Sequence, residues 1–452
     1  MIKRSIVALC ITASSMIMMM CLSSCSLFGS PSVEDYIAVS TEEELYAMKS
    51  GGFYRLENDI NLHGNSWQTK DLGGFDGGEY TISNCVVNGS GFFGDIEYEL
   101  SNVKFDSISV INGVSIAVGD RVGGIQGVTI QNCTLTVTES EYNYFWIGSV
   151  ASAVQSSAGK SGDIIDCHVK NTTIICTQLN GLSYIGGLVG TSFVSGEIMN
   201  CSASNVEITA NCPNYGSSDN FYVGGLFGVV DGEPVRNCIS SNVTIDVDSN
   251  GVSVGGIAGK IEGRDEIITQ SVAENNIISV SAESDVRIGG LFGVSEIAVE
   301  NCYTQGNTLE CTSKISDSCY IGGLGATSIN CITSCYSANN QLVGNNSDEN
   351  CFVAGFCPDI REAVRYCAVY ENLITGANSD EFSFESSMIF NSYITDTAET
   401  ENCNGLDMLS SFDWYSPSVI AERLHLEKKK KKSRNYCCYR FYCSRFVGGI
   451  TI

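Results

Sequence analysis

The stretch Ile185-Gly-Gly-Leu-Val-Gly190 decides the architecture, because the chain keeps returning to it. Further copies read Val122-Gly-Gly-Ile-Gln-Gly, Val223-Gly-Gly-Leu-Phe-Gly, Val254-Gly-Gly-Ile-Ala-Gly, Ile288-Gly-Gly-Leu-Phe-Gly and Ile321-Gly-Gly-Leu-Gly, with degenerate versions at Ile147-Gly-Ser-Val and Val353-Ala-Gly-Phe. After the first interval the copies recur every 31 to 38 residues. Self-similarity at a nearly fixed period is the signature of a solenoid, in which each repeat is one turn stacked on the last.

Each repeat carries three apolar, β-branched segments: the Gly-Gly strand, one ending in cysteine such as Glu197-Ile-Met-Asn-Cys201, and one following asparagine such as Asn205-Val-Glu-Ile, Asn242-Val-Thr-Ile, Asn276-Ile-Ile or Asn372-Leu-Ile. Alternation of this kind reads as strand, and asparagine tolerates the left-handed backbone of a tight bend. The expected product is an all-β, three-sided, right-handed parallel β-helix with about one coil per repeat. Thr41-Glu-Glu-Glu44 has the form of a capping box, so a short helix closing the first coil is expected, ending at Gly51.

Organisation follows from composition. Residues 1–24 read as an export signal, with Lys3 and Arg4 before an apolar run, and Leu22-Ser-Ser-Cys25 resembles the lipobox of bacterial lipoproteins. That resemblance implies lipidation of Cys25 and attachment to a membrane through an N-terminal lipid. Residues 25–39 read as a tether, 40–110 as the N-terminal cap and first coils, 111–400 as the repeat solenoid, and 401–422 as a C-terminal cap containing Leu406 to Trp414. Residues 423–452 form a basic tail. Its Cys- and Tyr-rich stretch after Lys428 to Lys432 is what a slip of reading frame would make of an apolar anchor, an idea that resequencing the gene across that tract can refute.

The chain carries a formal charge of −26, and between Ser26 and Glu422 14 basic residues face 50 acidic ones. Such a surface repels nucleic acid, which is excluded as a partner. Among 22 cysteines, Cys133, Cys167, Cys201, Cys238, Cys302, Cys335 and Cys367 share one apparent repeat position, with Ser271 in the remaining copy. A stacked column of inward thiols acts as small apolar packing, and that reading is preferred to disulfides. No cofactor is expected, and the three histidines share no metal-binding spacing.

The repeats resemble the GLUG motif of bacterial surface proteins. Phe53 to Leu62 and Gly74-Phe-Asp-Gly-Gly-Glu-Tyr-Thr-Ile-Ser-Asn84 resemble the leading strand and turn of that class, with Tyr80 where histidine is usual. The resemblance spans roughly residues 40–415 and implies an adhesin-like β-solenoid. It brings no catalysis, since the paired histidines of a zinc peptidase are missing.

Three candidate sites remain. Asp246-Val-Asp248-Ser-Asn250-Gly matches half of a calcium loop but lacks its closing glutamate, and a polar turn is the simpler reading. Arg264-Asp265-Glu266 is the densest mixed-charge cluster, read as a solvated loop. The residue preceding the apolar position of each Gly-Gly strand is often aromatic: Trp146, Tyr184, Tyr222, Tyr320 and Phe352, with Arg121, Ser253 and Arg287 in the other copies. Such a column either covers the sheet or forms a ligand face. The functional expectation is a lipid-anchored, extracytoplasmic surface protein that binds a host or cell-wall protein or glycan without catalysis. The alternatives are a β-helix polysaccharide lyase or glycoside hydrolase, and a passive stalk.

Overall fold

In a computed structural model the protein is a parallel β-helix. The structure describes residues 36–138, 144–155, 162–177, 179, 181–193, 196–212, 220–263, 266–312, 318–344, 351–362, 364–365, 367–370, 372–376, 393–394 and 400–401. Cys25, residues 402–422 of the expected C-terminal cap, the basic tail and Arg264-Asp265 lie outside them.

From residue 144 onward one turn consists of five strands rather than three. In the turn opening at Phe221–Gly224, that strand lies in a short seven-stranded sheet and Phe227–Asp231 in an eleven-stranded middle sheet. Val235–Arg236 belongs to a long thirteen-stranded sheet, and Ile239–Ser241 with Thr244–Ser249 forms two arms of a bent sheet. Before residue 144 the short sheet is missing and the cross-section has three sides, because Val118–Val122 already pairs with the middle sheet. The turn lengthens accordingly: Leu100 pairs with Ile125, 25 residues on, whereas Ile125 pairs with Ile164, 39 residues on. The expected three-sided coil therefore holds only for the first turns. The extra strand is Tyr144–Gly148.

Two corners in every turn are made by left-handed residues. Between the long and bent sheets stand Asn102, Gly127, Asp166, Asn200, Asn237, Gln270, Asn301 and Ser334. Between the arms of the bent sheet stand Asn84, Ser107, Asn132, Asn171, Asn205, Asn242, Asn275, Gly306 and Asn339. Asparagine and glycine recur because few residues adopt positive φ cheaply.

The residue after a left-handed corner points inward, and where it is Cys, Ser or Asn it can accept a backbone N–H from the preceding turn, at the place where the sheet ladder breaks. At the first corner Ser271 Oγ accepts from Cys238 N, and the Sγ atoms of Cys335 and Cys367 accept from Cys302 N and Cys335 N at 3.4 Å. At the second corner Asn276, Asn307, Asn340 and Asn372 form a buried amide ladder, each Oδ1 accepting from the turn before at 2.8–2.9 Å. Buried N–H groups at a bend need such partners.

These columns correct the sequence alignment in two places. Cys133 follows Asn132, which sits over Asn171, so Cys133 belongs to the second corner and accepts there from Ile108 N. Its 34-residue spacing to Cys167 is coincidental, because that turn is 39 residues long. Asn276 likewise is an inward residue one place after the bend at Asn275, and Asn372 accepts from Asn340 N in the same ladder, whereas Asn205 and Asn242 are the bend. The described cysteines are free thiols, nearly all buried. Burial pushes the Cys133 thiol up to about 12 and raises Cys201 and Cys335, keeping them protonated as interior packing. The thiols are thus hydrogen-bonding members of the corner as well as filler.

The N-terminal helix spans Glu42–Ala47. Glu44 N–H donates to Thr41 Oγ1, and Ser40 N–H donates to the Glu44 carboxylate. Leu45 and Met48 are buried against the first coil, while Tyr46 leans on Trp67 with ring centroids 5.3 Å apart. The helix covers an end that would otherwise expose apolar interior.

Candidate functional site

The Gly-Gly motif turns the chain from the short sheet into the middle sheet at a corner too tight for a side chain. A Cβ on Gly225 would lie 2.1 Å from Gly256 O, and one on Gly256 2.2 Å from Gly290 O. The glycine further along the motif lies against the short sheet of the previous turn: a Cβ on Gly190 or Gly228 would meet Ile147 N or Ile185 N at 2.5–2.6 Å. The outward faces of the two sheets therefore confront each other across a crease running along the rod.

One wall of the crease is the column expected from sequence. Trp146, Tyr184, Tyr222, Ser253, Arg287, Tyr320 and Phe352 are paired in register through successive strands. Arg121 is not among them. Its strand lies in the middle sheet opposite Ala153, where Gly123-Gly124 forms a different corner. The other wall, in register, is Ala153, Thr191, Val229, Lys260, Val294, Thr327 and Asp359.

Within the column, rings face rings. Tyr320 and Phe352 stack at 5.1 Å and 15°, and Tyr184 meets Tyr222 at 5.4 Å with a tilt. Where Ser253 leaves a gap, Lys260 reaches across, its Nζ 5.9 Å from the Tyr222 ring. Lys260 is paired with Glu262 and, at 3.1 Å, with Glu296. Burial would lower its pKa, but the two carboxylates outweigh that and raise it, so it stays an ammonium and cannot serve as a base. Trp146 differs from the other rings. It opens the short sheet, packs against Phe193 with ring centroids 5.4 Å apart, and has no further ring contact among the described residues. Its Nε1, Thr191 Oγ1 and Thr327 Oγ1 are buried polar atoms without a hydrogen-bond partner.

The half calcium loop is not gathered around one point. Asp246 and Asp248 lie on the extended strand Thr244–Ser249, exposed on its outer face, and Asn250 follows at the turn. A calcium loop must wrap oxygens around one point, which an extended strand does not do. Among the described residues no group of three His, Cys, Asp or Glu could hold a metal. Of the mixed-charge cluster only Glu266 is described, apart from the crease. Sequence reasoning missed this group because Glu296 joins Lys260 and Glu262, which share one strand, only through the stacking of the next turn.

No family model matches the chain. Halomucin of Haloquadratum walsbyi is 32% identical over 125 residues, which is 27% of this chain and 1% of that protein. The chain thus spans a very small part of that relative's length. A solved structure from Bacteroides ovatus, provisionally named an immunoglobulin A1 protease, aligns over 88% of this chain and 91% of its own with 13% identity and a TM-score of 0.32. Likeness at that level carries no inference.

Proposed function

We propose that the chain is a lipid-anchored, extracytoplasmic surface rod of the adhesin-like or scaffold kind, tethered through Cys25 and binding an extended partner without chemistry. The observation that carries this reading is the continuous crease, edged by Trp146, Tyr184, Tyr222, Tyr320 and Phe352 on a rod whose turns are locked by glycine corners. A long shallow surface suits a polymer or another protein better than a small molecule. The lipobox-like Leu22 to Cys25, the GLUG-like repeats, the acid surface and the stretch shared with a protein named halomucin all agree with a position outside the cell.

Glycan and protein arrays probed with the chain lacking residues 1–24 test the binding half of the reading. Capture of a defined glycan or protein is expected, whereas turnover of a bound polysaccharide would overturn the non-catalytic assignment, and silence on both arrays would leave a passive stalk. The anchor is tested separately: Cys25→Ala should move the protein from the membrane to the soluble fraction, and an unchanged membrane fraction would refute it.

A further inference from the structure

We infer that the outer face of the bent sheet from Val272 to Ala338 is the seat of the chain's own C-terminal segment, residues 402–422, which runs back along the rod and closes that face to other partners.

Register defines the face. Cys302 points inward, so on the strand Tyr303–Gln305 the side chains of Tyr303 and Gln305 point outward while Thr304 points in, its Oγ1 donating to Gly323 O. Tyr336 and Ala338 pair with Tyr303 and Gln305 on the next turn, and Val272 pairs with Tyr303 from the turn before. Outward residues of a rod should meet solvent. These do not: Val272 is 1% exposed, Tyr303 0%, Tyr336 2%, Gln305 6% and Ala338 1%. The residues of the same column in earlier turns, His168, Ser202 and Ile239, are only half-buried.

The column changes its chemistry where it becomes closed. It reads Thr129, His168 and Ser202 in the early turns and Val272, Tyr303 and Tyr336 in the later ones. The two tyrosine rings stack at 4.7 Å and 5°, which makes a flat apolar seat, and both are engaged by more than each other. Their ladder partners lie beside them in the sheet rather than over it, so the cover comes from outside the sheets. An apolar patch of this kind on a soluble surface marks a place where something docks.

The course of the chain says which segment reaches it. In every turn the long sheet leads into the first arm of the bent sheet. Thr400–Glu401 is the last described strand of the long sheet and lies over Val364–Arg365. Continued in the same register, Asn404 would fall over Ala368, which itself lies over Tyr336. The level of Tyr303 is then three turns back, about 14 Å at the spacing of neighbouring strands, and a handful of extended residues span it. Leu406, Met408, Leu409, Phe412 and Trp414 follow at once, apolar side chains for an apolar seat. Residues 377–392 leave instead from the far end of the second arm, where the outward Gln341 and Leu373 are exposed, Leu373 at 57%. A segment crossing from that side would have covered them. The surface is thereby divided: this face serves the protein's own end, and an extended partner is left the crease between the short and middle sheets. The inference stands whether or not the crease binds anything.

A photoreactive side chain tests it in the full chain. Tyr336→benzoylphenylalanine, irradiated and digested, should be joined to a peptide from residues 402–422. Cross-links only to residues 377–392, to the N-terminal tether or to a second molecule, or none at all, would overturn the assignment. A second measurement leaves the seat unsubstituted. Under hydroxyl-radical labelling Tyr303 and Tyr336 should react at least about tenfold more slowly than Tyr80, and Phe412→Asp with Trp414→Asp should abolish that protection while Tyr54, buried at the other end of the rod, keeps its own. Fast labelling of the pair in the parent, or protection unchanged in the double variant, would equally overturn it. Loss at Tyr54 too would mean that the whole rod had opened, and the cross-link then decides.

Discussion

The first turns and the later ones are built from the same motif but close differently. In the first, Gly123-Gly124 carries the chain from the middle sheet toward the long sheet, and a Cβ on Gly124 would find its nearest neighbour at 3.6 Å. In the later turns Gly187, Gly225, Gly256, Gly290 and Gly323 each leave only 2.1–2.2 Å to a carbonyl of the next turn. The same dipeptide thus makes a roomy bend at Gly123-Gly124 and an obligatory backbone contact in the four-sided turns. A repeated sequence is evidence of a repeated fold, not of a repeated role.

The largest expected effect breaks that contrast directly. Gly290→Ala should cost at least about 3 kcal/mol or prevent folding, since neither partner at the clash is a flexible side chain, whereas Gly124→Ala should stay within about 1 kcal/mol. Urea denaturation of the two variants decides it, and equal losses would mean that the corners are equivalent after all. Next comes the amide ladder of the four-sided part. Asn307→Ala leaves Asn276 N without its acceptor and removes the bond to Ala273 O, for a loss of about 2–3 kcal/mol. Asn205→Ala, on the exposed outer corner, should lose about 1 kcal/mol.

A smaller effect separates hydrogen bonding from filling in the thiol column. Cys335→Ser keeps an acceptor for Cys302 N, as Ser271 does for Cys238 N, while Cys335→Val keeps only volume. Val should be less stable than Ser by about 1 kcal/mol. The reverse order in thermal melts would make the column mere packing. The smallest effect concerns His168, half-buried on the bent sheet with Nδ1 2.8 Å from Ser202 Oγ. Burial, aided by Lys170, lowers its pKa below 6.5, so the folded state prefers the neutral ring. Stability should be complete above pH 6.5 and decline as pH falls through that value toward the lower folded pKa. His168→Gln should flatten this part of the profile, and a parent already flat between pH 7 and 5 would contradict it.

Much of the fold was legible because its rules are local. Gly-Gly, Asn before an apolar residue, and Thr41 with Glu44 each state a backbone requirement that neighbours cannot override. The number of sides was not legible, because nothing in Tyr144–Gly148 distinguishes a strand of a new sheet from one of an existing sheet; only its pairing with Leu182–Gly186 does. The Asn-Cys pair misled for a related reason. Asn132-Cys133 and Asn200-Cys201 make the same left-handed bend at different corners, so the dipeptide marks a bend without saying which. At the candidate site, the column of Trp146 and its followers could be aligned by eye, whereas Lys260 and its carboxylates needed the register of a second sheet.

The glycine column has a consequence for how such a rod can change. Because the main chain itself dictates where each turn settles, side chains that look outward are relieved of that duty. A lineage could rewrite its exterior, or duplicate a turn to gain length, and the scaffold would still assemble in step.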